Sequence, residues 1–267
     1  MTPALIVRDV EKTFNPGTIT ENYVLKGINL VLEEGDYVTV IGGNGAGKST
    51  LLNSIAGVFP VDEGHIFIGD KEVTHLPEHK RAVHLGRVFQ DPMVGTAADM
   101  TIAENLSIAM HRGEKRGLGK AISEKEKAFF KEKLAQLDLG LENRLNDVIG
   151  LLSGGQRQAI TLLMATIKKP DLLLLDEHTA ALDPKTAEKV LQLTDNIVNE
   201  NKITTIMITH NMRDAINHGN RLIMMNDGRV VFDVKGEEKR NLTVETLLEK
   251  FTQSFAESAL SDRLILG

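Results

Sequence analysis

The residues with the most specific chemistry form a glycine-rich stretch near the N-terminus. Gly42 and Gly47, with four residues between them, are followed directly by Lys48 and Ser49, which is the spacing of a phosphate-binding loop. Glycines let the backbone curl until successive N–H groups point at phosphate oxygens, and the next helix presents its positive N-terminus. Lys48 can reach the β- and γ-phosphates, and the Ser49 hydroxyl can bind Mg²⁺. An ordinary glycine-rich turn is the alternative, but the predicted strand and helix on either side favour a nucleotide site.

Two carboxylates follow an apolar run at residues 172–175. Buried carboxylates are costly unless a metal ion or hydrogen bonds compensate their charge, so we expect Asp176 in the Mg²⁺ shell. Glu177 would orient and polarise the attacking water. Taken alone, leucines followed by acids are more typical of a core strand that leads into a helix cap. Beside a phosphate loop, the metal-binding and catalytic interpretation is favoured.

A third glycine-rich element, at residues 153–156, precedes a helical stretch at residues 157–167. Serine is a preferred N-cap residue, so this element by itself favours a plain helix start at Ser153. The functional alternative is a second helix N-terminus that receives a phosphate.

The elements that must position these motifs can be read from apolar spacing. Short alternating runs near the N-terminus predict several strands, mostly antiparallel. Val38–Ile41 predicts a buried strand that feeds the phosphate loop, and Lys48–Ala56 predicts the next helix, which ends at Gly57. Strands predicted at residues 172–175 and 203–208 are separated by helices, which favours a mainly parallel sheet with ligands at the carboxyl ends of its strands.

Two local patterns predict further elements. Ser123 and Glu126 form a capping box, and apolar side chains at helical spacing follow until Gly140, which predicts a helix there. The run Asn226-Asp-Gly228 predicts a tight turn between a final pair of strands.

Composition limits the class of protein further. The chain has 267 residues, 42% of them apolar and 25% charged, with a net charge of −6 and no cysteine. These values indicate a globular protein, exclude disulfides and thiolate metal sites, and argue against sequence-independent binding to nucleic acid. No signal peptide is evident, and no apolar run approaches the ~20 residues that cross a bilayer. At a membrane, another chain would therefore have to provide the crossing.

In their order along the chain, the motifs resemble the ATP-binding cassette (ABC) ATPases of membrane transporters. The phosphate loop, the segment Leu-Ser-Gly-Gly-Gln and the Asp-Glu pair after a leucine run follow each other as in that family, and the five-residue segment is highly specific to it. The likeness spans about residues 5–235. It implies an α/β fold: a phosphate-loop NTPase core with a mainly parallel sheet, an N-terminal antiparallel β subdomain and an inserted helical subdomain.

The resemblance also implies a domain organisation. Residues 1–235 would form a single nucleotide-binding domain, with the helical subdomain inserted at about residues 91–160. Residues 236–267 would form a short C-terminal helical tail, with one amphipathic helix around Val244–Phe255.

Roles for single residues follow from the same resemblance. Gln90 matches the glutamine loop that links Mg²⁺ to the helical subdomain, and Asp183 matches the loop that signals between two nucleotide sites. His210 matches the switch histidine that contacts the γ-phosphate and the water held by Glu177, and Phe14 lies where an aromatic side chain stacks on adenine. The expected nucleotide contacts are Phe14, Gly42, Gly43, Asn44, Gly45, Ala46, Gly47, Lys48, Ser49, Thr50, Gln90, Ser153, Gly154, Gly155, Gln156 and Asp183. The expected catalytic residues are Lys48, Glu177 and His210, and the expected Mg²⁺ ligands are Ser49, Gln90 and Asp176.

Two positions depart from the family pattern. Phe14 stands where tyrosine is commoner, but the ring keeps its π face for stacking. His178 follows Glu177 where proline is commoner, so we expect altered loop stiffness rather than lost hydrolysis. We interpret His178 as a solvated loop histidine rather than a catalytic base.

Partners are implied as well. In the family, two cassettes pack head to tail, so that the phosphate loop of one faces the Ser153–Gln156 segment of the other across ATP. One chain carries only one copy of each, so we expect a homodimer or a pair with a sister ATPase. Integral-membrane permease subunits would dock around Asp91–Thr101, and an importer would add an extracytoplasmic solute-binding protein. No nucleic-acid partner is expected, and the chain would lie peripherally at the cytoplasmic face of the membrane.

The function that follows is ATP hydrolysis that powers transport of a small solute through a separate permease. Details of the phosphate loop and of the Glu177–Asp183 run resemble ATPases of bacterial importers of the branched-chain amino acid type, which favours import of an amino-acid-like solute. Three alternatives stay open: the ATPase of an exporter, a soluble ABC protein that acts on nucleic acid or ribosomes, and another phosphate-loop enzyme such as a small-molecule kinase. The last has no use for the Leu-Ser-Gly-Gly-Gln segment.

Overall fold

The computed structural model describes residues 2–114 and 122–253. Within these residues the chain divides into two compact units. The first unit is built from the described parts of Met1–Arg81 and Thr204–Gly267, and the second unit from those of Ala82–Ile203. No helix in the described ranges is long and apolar enough to cross a membrane.

An antiparallel sheet forms one layer of the first unit. Its strands pair in the order β2-β1-β4-β5, and their bounds are β1 Leu5–Phe14, β2 Asn22–Leu32, β4 Glu63–Ile68 and β5 Lys71–Glu72. The inward-facing side chains of β1 and β2, such as Leu5 and Leu32, are fully buried, while alternate residues face solvent. This alternation is what an antiparallel sheet with one packed face requires.

A second sheet in the first unit carries the phosphate loop. Strand β3 (Tyr37–Gly42) pairs in parallel with β8 (Thr205–Ile208) on one side and with β9 (Arg221–Asn226) on the other. Strand β10 (Arg229–Lys235) returns antiparallel to β9 through a two-residue turn. Both turn residues, at positions 227 and 228, have positive φ, as the tight hairpin predicted from Asn-Asp-Gly demands.

Helix α1 (Lys48–Ala56) follows the phosphate loop and ends as predicted at Gly57, where φ is 81°. Buried Arg81 closes this end, because its guanidinium donates to the carbonyls of Ser54 at 2.7 Å and Ile55 at 3.0 Å. Burial lowers the pKa of Arg81. A side chain that satisfies the last carbonyls of a helix with a positive charge stabilises that end, so Arg81 holds α1 in place behind the loop.

The second unit combines a parallel strand pair with four longer helices. Strand β6 (Leu85–Val88) pairs in parallel with β7 (Leu172–Asp176). The longer helices are α3 Ile102–Met110, α4 Glu124–Ala135, α5 Gly154–Thr166 and α6 Pro184–Asn201. Capping boxes open α3, α4 and α5, and Phe130, Leu106 and Ile160 bury their side chains in the core that these helices share.

Short elements in the described residues are α2 Glu78–Arg81, α7 Met212–Asn217 and α8 Glu237–Arg240, and a 3₁₀ turn spans Ile149–Leu151. Residues 244–253 are also helical. The predicted α/β class, with an antiparallel β part, parallel strands and a helical part, is confirmed. The predicted helix at Ser123 was expected to run toward Gly140, but it ends at Ala135.

Candidate nucleotide site

The phosphate loop lies between β3 and α1 and is shaped by close backbone contacts. A Cβ atom on Gly42 would lie 2.3 Å from the Met225 carbonyl oxygen, so only glycine fits there. The N–H of Ala46 donates to the Gly43 oxygen at 3.2 Å, and the N–H of Gly228 donates to the Ala46 oxygen at 3.2 Å. The β9–β10 turn therefore supports the phosphate loop through a backbone hydrogen bond. No sequence pattern predicts this contact.

Lys48 opens helix α1 with its side chain turned back over the loop. Its ammonium donates to the carbonyls of Gly42 at 2.9 Å and Gly43 at 3.1 Å, and the residue is only 6% exposed. Gly47, the N-cap, adopts a left-handed conformation with φ at 95° and contributes no side-chain cap. No side chain therefore caps the first turn of α1, and a fixed positive charge lies beside it.

Two aromatic rings lie at the position in the first unit that is predicted to contact adenine. The rings of Phe14 and Phe59 meet edge to face, with centroids 5.1 Å apart. Lys12 lies 5.6 Å from the Phe14 centroid and forms an ion pair with Asp62 at 2.6 Å. Burial opposes ionisation of Asp62, but hydrogen bonds from Lys12 and from the Thr13 N–H lower its pKa overall. Phe59 and Asp62 reach Phe14 and Lys12 only through the tertiary fold. Their contacts could therefore not be predicted from the sequence.

In the second unit, strand β7 delivers the two predicted carboxylates. Its four leucines are fully buried, and Asp176 is its last residue. Glu177 then adopts a left-handed conformation with φ at 47°, and its carbonyl accepts the N–H of Ala180 at 2.9 Å. A left-handed conformation costs a non-glycine residue about 1–2 kcal/mol, and such strain is concentrated at functional sites.

The interpretation of His178 as a solvated loop histidine is wrong. The residue is 1% exposed, and its Nε2 lies 3.1 Å from Thr194 Oγ1 on helix α6. Because the Thr194 hydroxyl donates to the Val190 carbonyl at 2.8 Å, its single proton is used there and Nε2 must be the donor. The strained turn at Glu177 directs the next side chain inward, which apolar spacing could not reveal. His178 therefore anchors the turn to α6.

The Leu-Ser-Gly-Gly-Gln run at residues 152–156, which we call the signature segment, leads into helix α5 with a capping box. Gln156 donates its N–H to Ser153 Oγ and receives the Ser153 N–H on Oε1, both at 3.3 Å. Arg157 donates to the carbonyls of Gly150 at 2.9 Å and Leu152 at 3.1 Å, which fixes the approach to the segment. The N-cap predicted at Ser153 is present. The bonds from Arg157 to the chain before it were not predicted from the sequence.

The remaining predicted residues lie on turns at strand and helix ends. Gln90 is exposed two residues after β6, and His210 is exposed two residues after β8. Asp183 is the N-cap of α6 and accepts the Thr186 N–H at 3.1 Å. Hydrogen bonds from the side chain and then the backbone of Thr186 lower the pKa of Asp183.

Each unit brings part of the predicted set together. In the first unit, the phosphate loop and His210 follow β3 and β8, which are neighbouring parallel strands. In the second unit, Gln90 and Asp176 follow the carboxyl ends of β6 and β7, which are also paired. Within the described residues, no cluster of three or more His, Asp or Glu side chains could hold a metal ion. Mixed oxygen ligands also suit Mg²⁺, and the second unit offers two of them, the Gln90 amide and the Asp176 carboxylate.

Comparison with known proteins agrees with this geometry. The family model described as ABC transporter matches residues 25–180. The chain is 46% identical over 252 residues to the tyrosine transport ATP-binding protein of Clostridioides difficile strain R20291, a match that covers 92% of this chain and 98% of that protein.

Two solved structures extend the likeness to three dimensions. The dimeric post-hydrolysis state of the ATP-binding cassette MJ0796, bound to ADP and Pi, matches with a TM-score of 0.74 at 31% identity, over 86% of this chain and 98% of that one. The ADP conformation of MJ1267, a cassette of an ABC transporter, matches with a TM-score of 0.76 at 25% identity, over 94% and 99%. The chain therefore belongs to the ABC transporter family, as an ATP-binding subunit that hydrolyses ATP for transport.

Proposed function

We propose that this ATPase powers the import of tyrosine or a closely related amino acid through a separate membrane permease. The observation that carries the proposal is the 46% identity to a tyrosine transport ATP-binding protein across 98% of that protein's length. The amino-acid-like importer expected from the sequence is consistent with it.

The proposed nucleotide contacts are those that the family motifs imply. Phe14 stacks on adenine, the backbone of residues 42–50 surrounds the phosphates, and Lys48 pairs with the β- and γ-phosphates. Hydroxyl, amide and carboxylate oxygens suit Mg²⁺, so Ser49, Gln90 and Asp176 would hold that ion. When bound, Mg²⁺ neutralises charge on the phosphate oxygens.

The chain's own residues supply the positioning that hydrolysis requires. Glu177 accepts a hydrogen bond from the attacking water and orients it toward the γ-phosphorus, and His210 contacts the γ-phosphate beside it. The strained conformation of Glu177 and the buried His178 fix this carboxylate before substrate arrives, which favours a pre-organised site. Lys48 stabilises the charge that develops on the leaving β-phosphate oxygens.

Two copies of the chain, or one copy and a sister ATPase, would share each ATP. The MJ0796 cassette forms a dimer, and this chain carries one phosphate loop and one signature segment. In the proposed assembly, Ser153–Gln156 and Asp183 of one subunit contact the ATP held by the phosphate loop of the other. Closure and reopening of the pair then supply the motion for transport.

The permease would dock on the segment Asp91–Thr101 in the second unit. Met93 and Val94 there are 39% and 65% exposed, and flexible apolar side chains suit such a contact. This placement locates the ATPase at the cytoplasmic face of the membrane, with a solute-binding protein on the opposite side. No nucleic-acid partner is part of the proposal.

We also propose residues 1–235 as one nucleotide-binding domain, with the helical subdomain at about 91–160 and a helical tail from 236. Residues 244–253 are helical, which supports the helix expected in that tail. The described residues stop at 253, so the expected helix end at Phe255 and the tail beyond it lie outside them. Residues 115–121 of the subdomain lie outside them as well.

The test is transport by the reconstituted complex. The chain is co-purified with the permease encoded beside it, placed in lipid vesicles with the solute-binding protein, and assayed for ATP-dependent movement of labelled tyrosine toward the ATPase side. Glu177→Gln in the same complex is the matched control and should abolish uptake. Movement in the opposite direction would identify an exporter, and ATP-sensitive binding to DNA or ribosomal particles without a permease would favour the soluble alternative.

A further inference from the structure

One side chain in the second unit touches both of the loops that face the partner subunit in the proposed assembly. Thr186 lies in the first turn of α6, three residues after Asp183. A Cβ atom built on Gly155 would lie 2.2 Å from the Thr186 methyl carbon, Cγ2. The same atom on Gly154 would meet only Leu182 at 3.4 Å. The second glycine of the signature segment is therefore the one that makes room for the Thr186 methyl group.

The hydroxyl group of Thr186 is used on the other side. The Thr186 N–H donates to Asp183 Oδ1 at 3.1 Å, and a hydrogen bond from the Thr186 side chain lowers the pKa of Asp183. One β-branched side chain thus presents its methyl to Gly155 and its hydroxyl to Asp183.

These two contacts cannot be separated by a simple side-chain rotation. Threonine has few χ1 rotamers in a helix, since two heavy atoms stand on Cβ. Any rotation that turned the methyl away from residue 155 would also move the hydroxyl away from Asp183. A displacement of one loop is therefore passed to the other through a stiff connection rather than absorbed.

We propose that Thr186 is a positioning residue that makes the Asp183 loop and the Ser153–Gln156 segment move as one body when the cassettes close. The inference rests on the proposed function, because it assumes that both loops meet the partner's nucleotide. Its competitor is that Gly155 is required only for close approach of its backbone to a phosphate. In that case any side chain at position 155 would be harmful, whatever stands at position 186.

Paired substitutions separate these two explanations. Gly155→Ala forces its new methyl against Thr186 and should lower kcat of the full chain in complex with its permease by about 10- to 100-fold, as expected for sub-ångström to ångström misplacement at a catalytic interface. Thr186→Ser removes Cγ2 and keeps the hydroxyl bond to Asp183, so alone it should cause a smaller loss. The double variant should recover to the level of Thr186→Ser.

Thr186→Val is the matched control. It keeps a branched side chain of similar size but removes the hydroxyl, so it should not rescue Gly155→Ala. It should also let the pKa of Asp183 rise toward its ordinary value, measured by carboxyl NMR titration, while Thr186→Ser should not. A merely structural role of Thr186 in α6 would not produce this split between the two replacements.

The outcomes are decisive when kcat and the thermal unfolding temperature are recorded together. Recovery of both in the double variant supports the inference. A folded double variant that stays as slow as Gly155→Ala overturns it and leaves the proposed function intact, as does recovery of the unfolding temperature without recovery of kcat. Absence of hydrolysis in the unaltered complex would instead contradict the proposed function.

Discussion

Helices α1 and α5 both begin at a glycine-rich loop, but their first turns are completed in different ways. At α1 the N-cap is Gly47 in a left-handed conformation, with no side-chain cap. At α5 the N-cap is Ser153 in an extended conformation, and the reciprocal bonds with Gln156 already occupy two backbone N–H groups. No side chain caps the start of α1, whereas the start of α5 is capped by its own serine and glutamine.

This difference teaches how two similar motifs can act at different stages. The loop before α1 also holds Lys48 close to its own carbonyls, so a positive charge is in place before a phosphate arrives. Ser153 Oγ accepts the Gln156 N–H and still has its own proton to donate. We infer that the phosphate loop binds ATP by itself, and that the signature segment adds weaker contacts only when ATP is delivered by a partner subunit.

The largest expected effect is a loss of turnover. The variant should accumulate in the proposed state in which the starts of α1 and α5 both contact ATP. Glu177→Gln should lower kcat by about 1000-fold, because an amide cannot act as the general base for water. ATP binding should persist, and a dimer should accumulate in size-exclusion chromatography with ATP. Turnover near the wild-type level would remove Glu177 from its assigned role.

The second prediction concerns the loop that binds on its own. Lys48→Ala should weaken ATP binding to the isolated chain by roughly 100-fold, since charge-assisted hydrogen bonds to phosphate are lost. Isothermal titration calorimetry measures this directly. Lys125→Ala, which removes an exposed lysine from α4, is the control and should bind ATP normally. Equal affinities of the two variants would contradict the comparison.

How far the sequence leads depends on whether the determinant is local. The start and end of α1, the capping box at Ser123 and the β9–β10 hairpin were predicted, because adjacent residues decide them. Contacts across the fold were not foreseeable: Phe59 beside Phe14 and the burial of His178 each depend on an element distant in the sequence. The bonds from Arg157 to nearby carbonyls span only five and seven residues, but no residue pattern specifies them.

The predicted extent of α4 shows the same limit. Leu137 continues the apolar spacing, which predicted a helix as far as Gly140. Its side chain is buried. Asp138, however, adopts a left-handed conformation with φ at 52° and ends the helical path earlier. Spacing reports which face is buried, but not whether the backbone stays helical. Which residues contact nucleotide also stays a prediction from motif resemblance.

The third prediction tests the self-capped helix start with a matched pair. Ser153→Ala and Ser123→Ala each remove the serine of a capping box, at α5 and α4 respectively. Both should lower the free energy of unfolding by about 1 kcal/mol. Only Ser153→Ala should also reduce ATPase activity, by about tenfold, while ATP affinity of the isolated chain is unchanged. Equal activity of the two variants would mean that Ser153 is a cap and nothing more.

The smallest expected effect is a pH dependence at the cap of α4, which uses the ionisable Glu126, whereas the cap of α5 uses the uncharged Gln156. The hydrogen bond from His111, at 2.7 Å, and those from the Ser123 backbone and side chain lower the pKa of Glu126 from 4.5 to about 2. A lowered pKa means that the folded chain favours the ionised carboxylate. This stabilisation is therefore complete above pH 4.5 and is lost as the pH falls toward 2.

Glu126→Gln keeps a residue that can complete a capping box but removes the charge. At neutral pH it should unfold with about 1 kcal/mol less free energy than the wild-type chain, and the difference should disappear as the pH approaches 2. Chemical denaturation at several pH values measures this difference in the free energy of unfolding.

Gln156→Glu is the reciprocal replacement at α5. That variant places a carboxylate near the helix N-terminus but has no histidine partner corresponding to His111, so its acid sensitivity should begin at higher pH. An unchanged pH profile for Glu126→Gln would show that the cap of α4 owes its strength to the same neutral hydrogen bonds as the cap of α5.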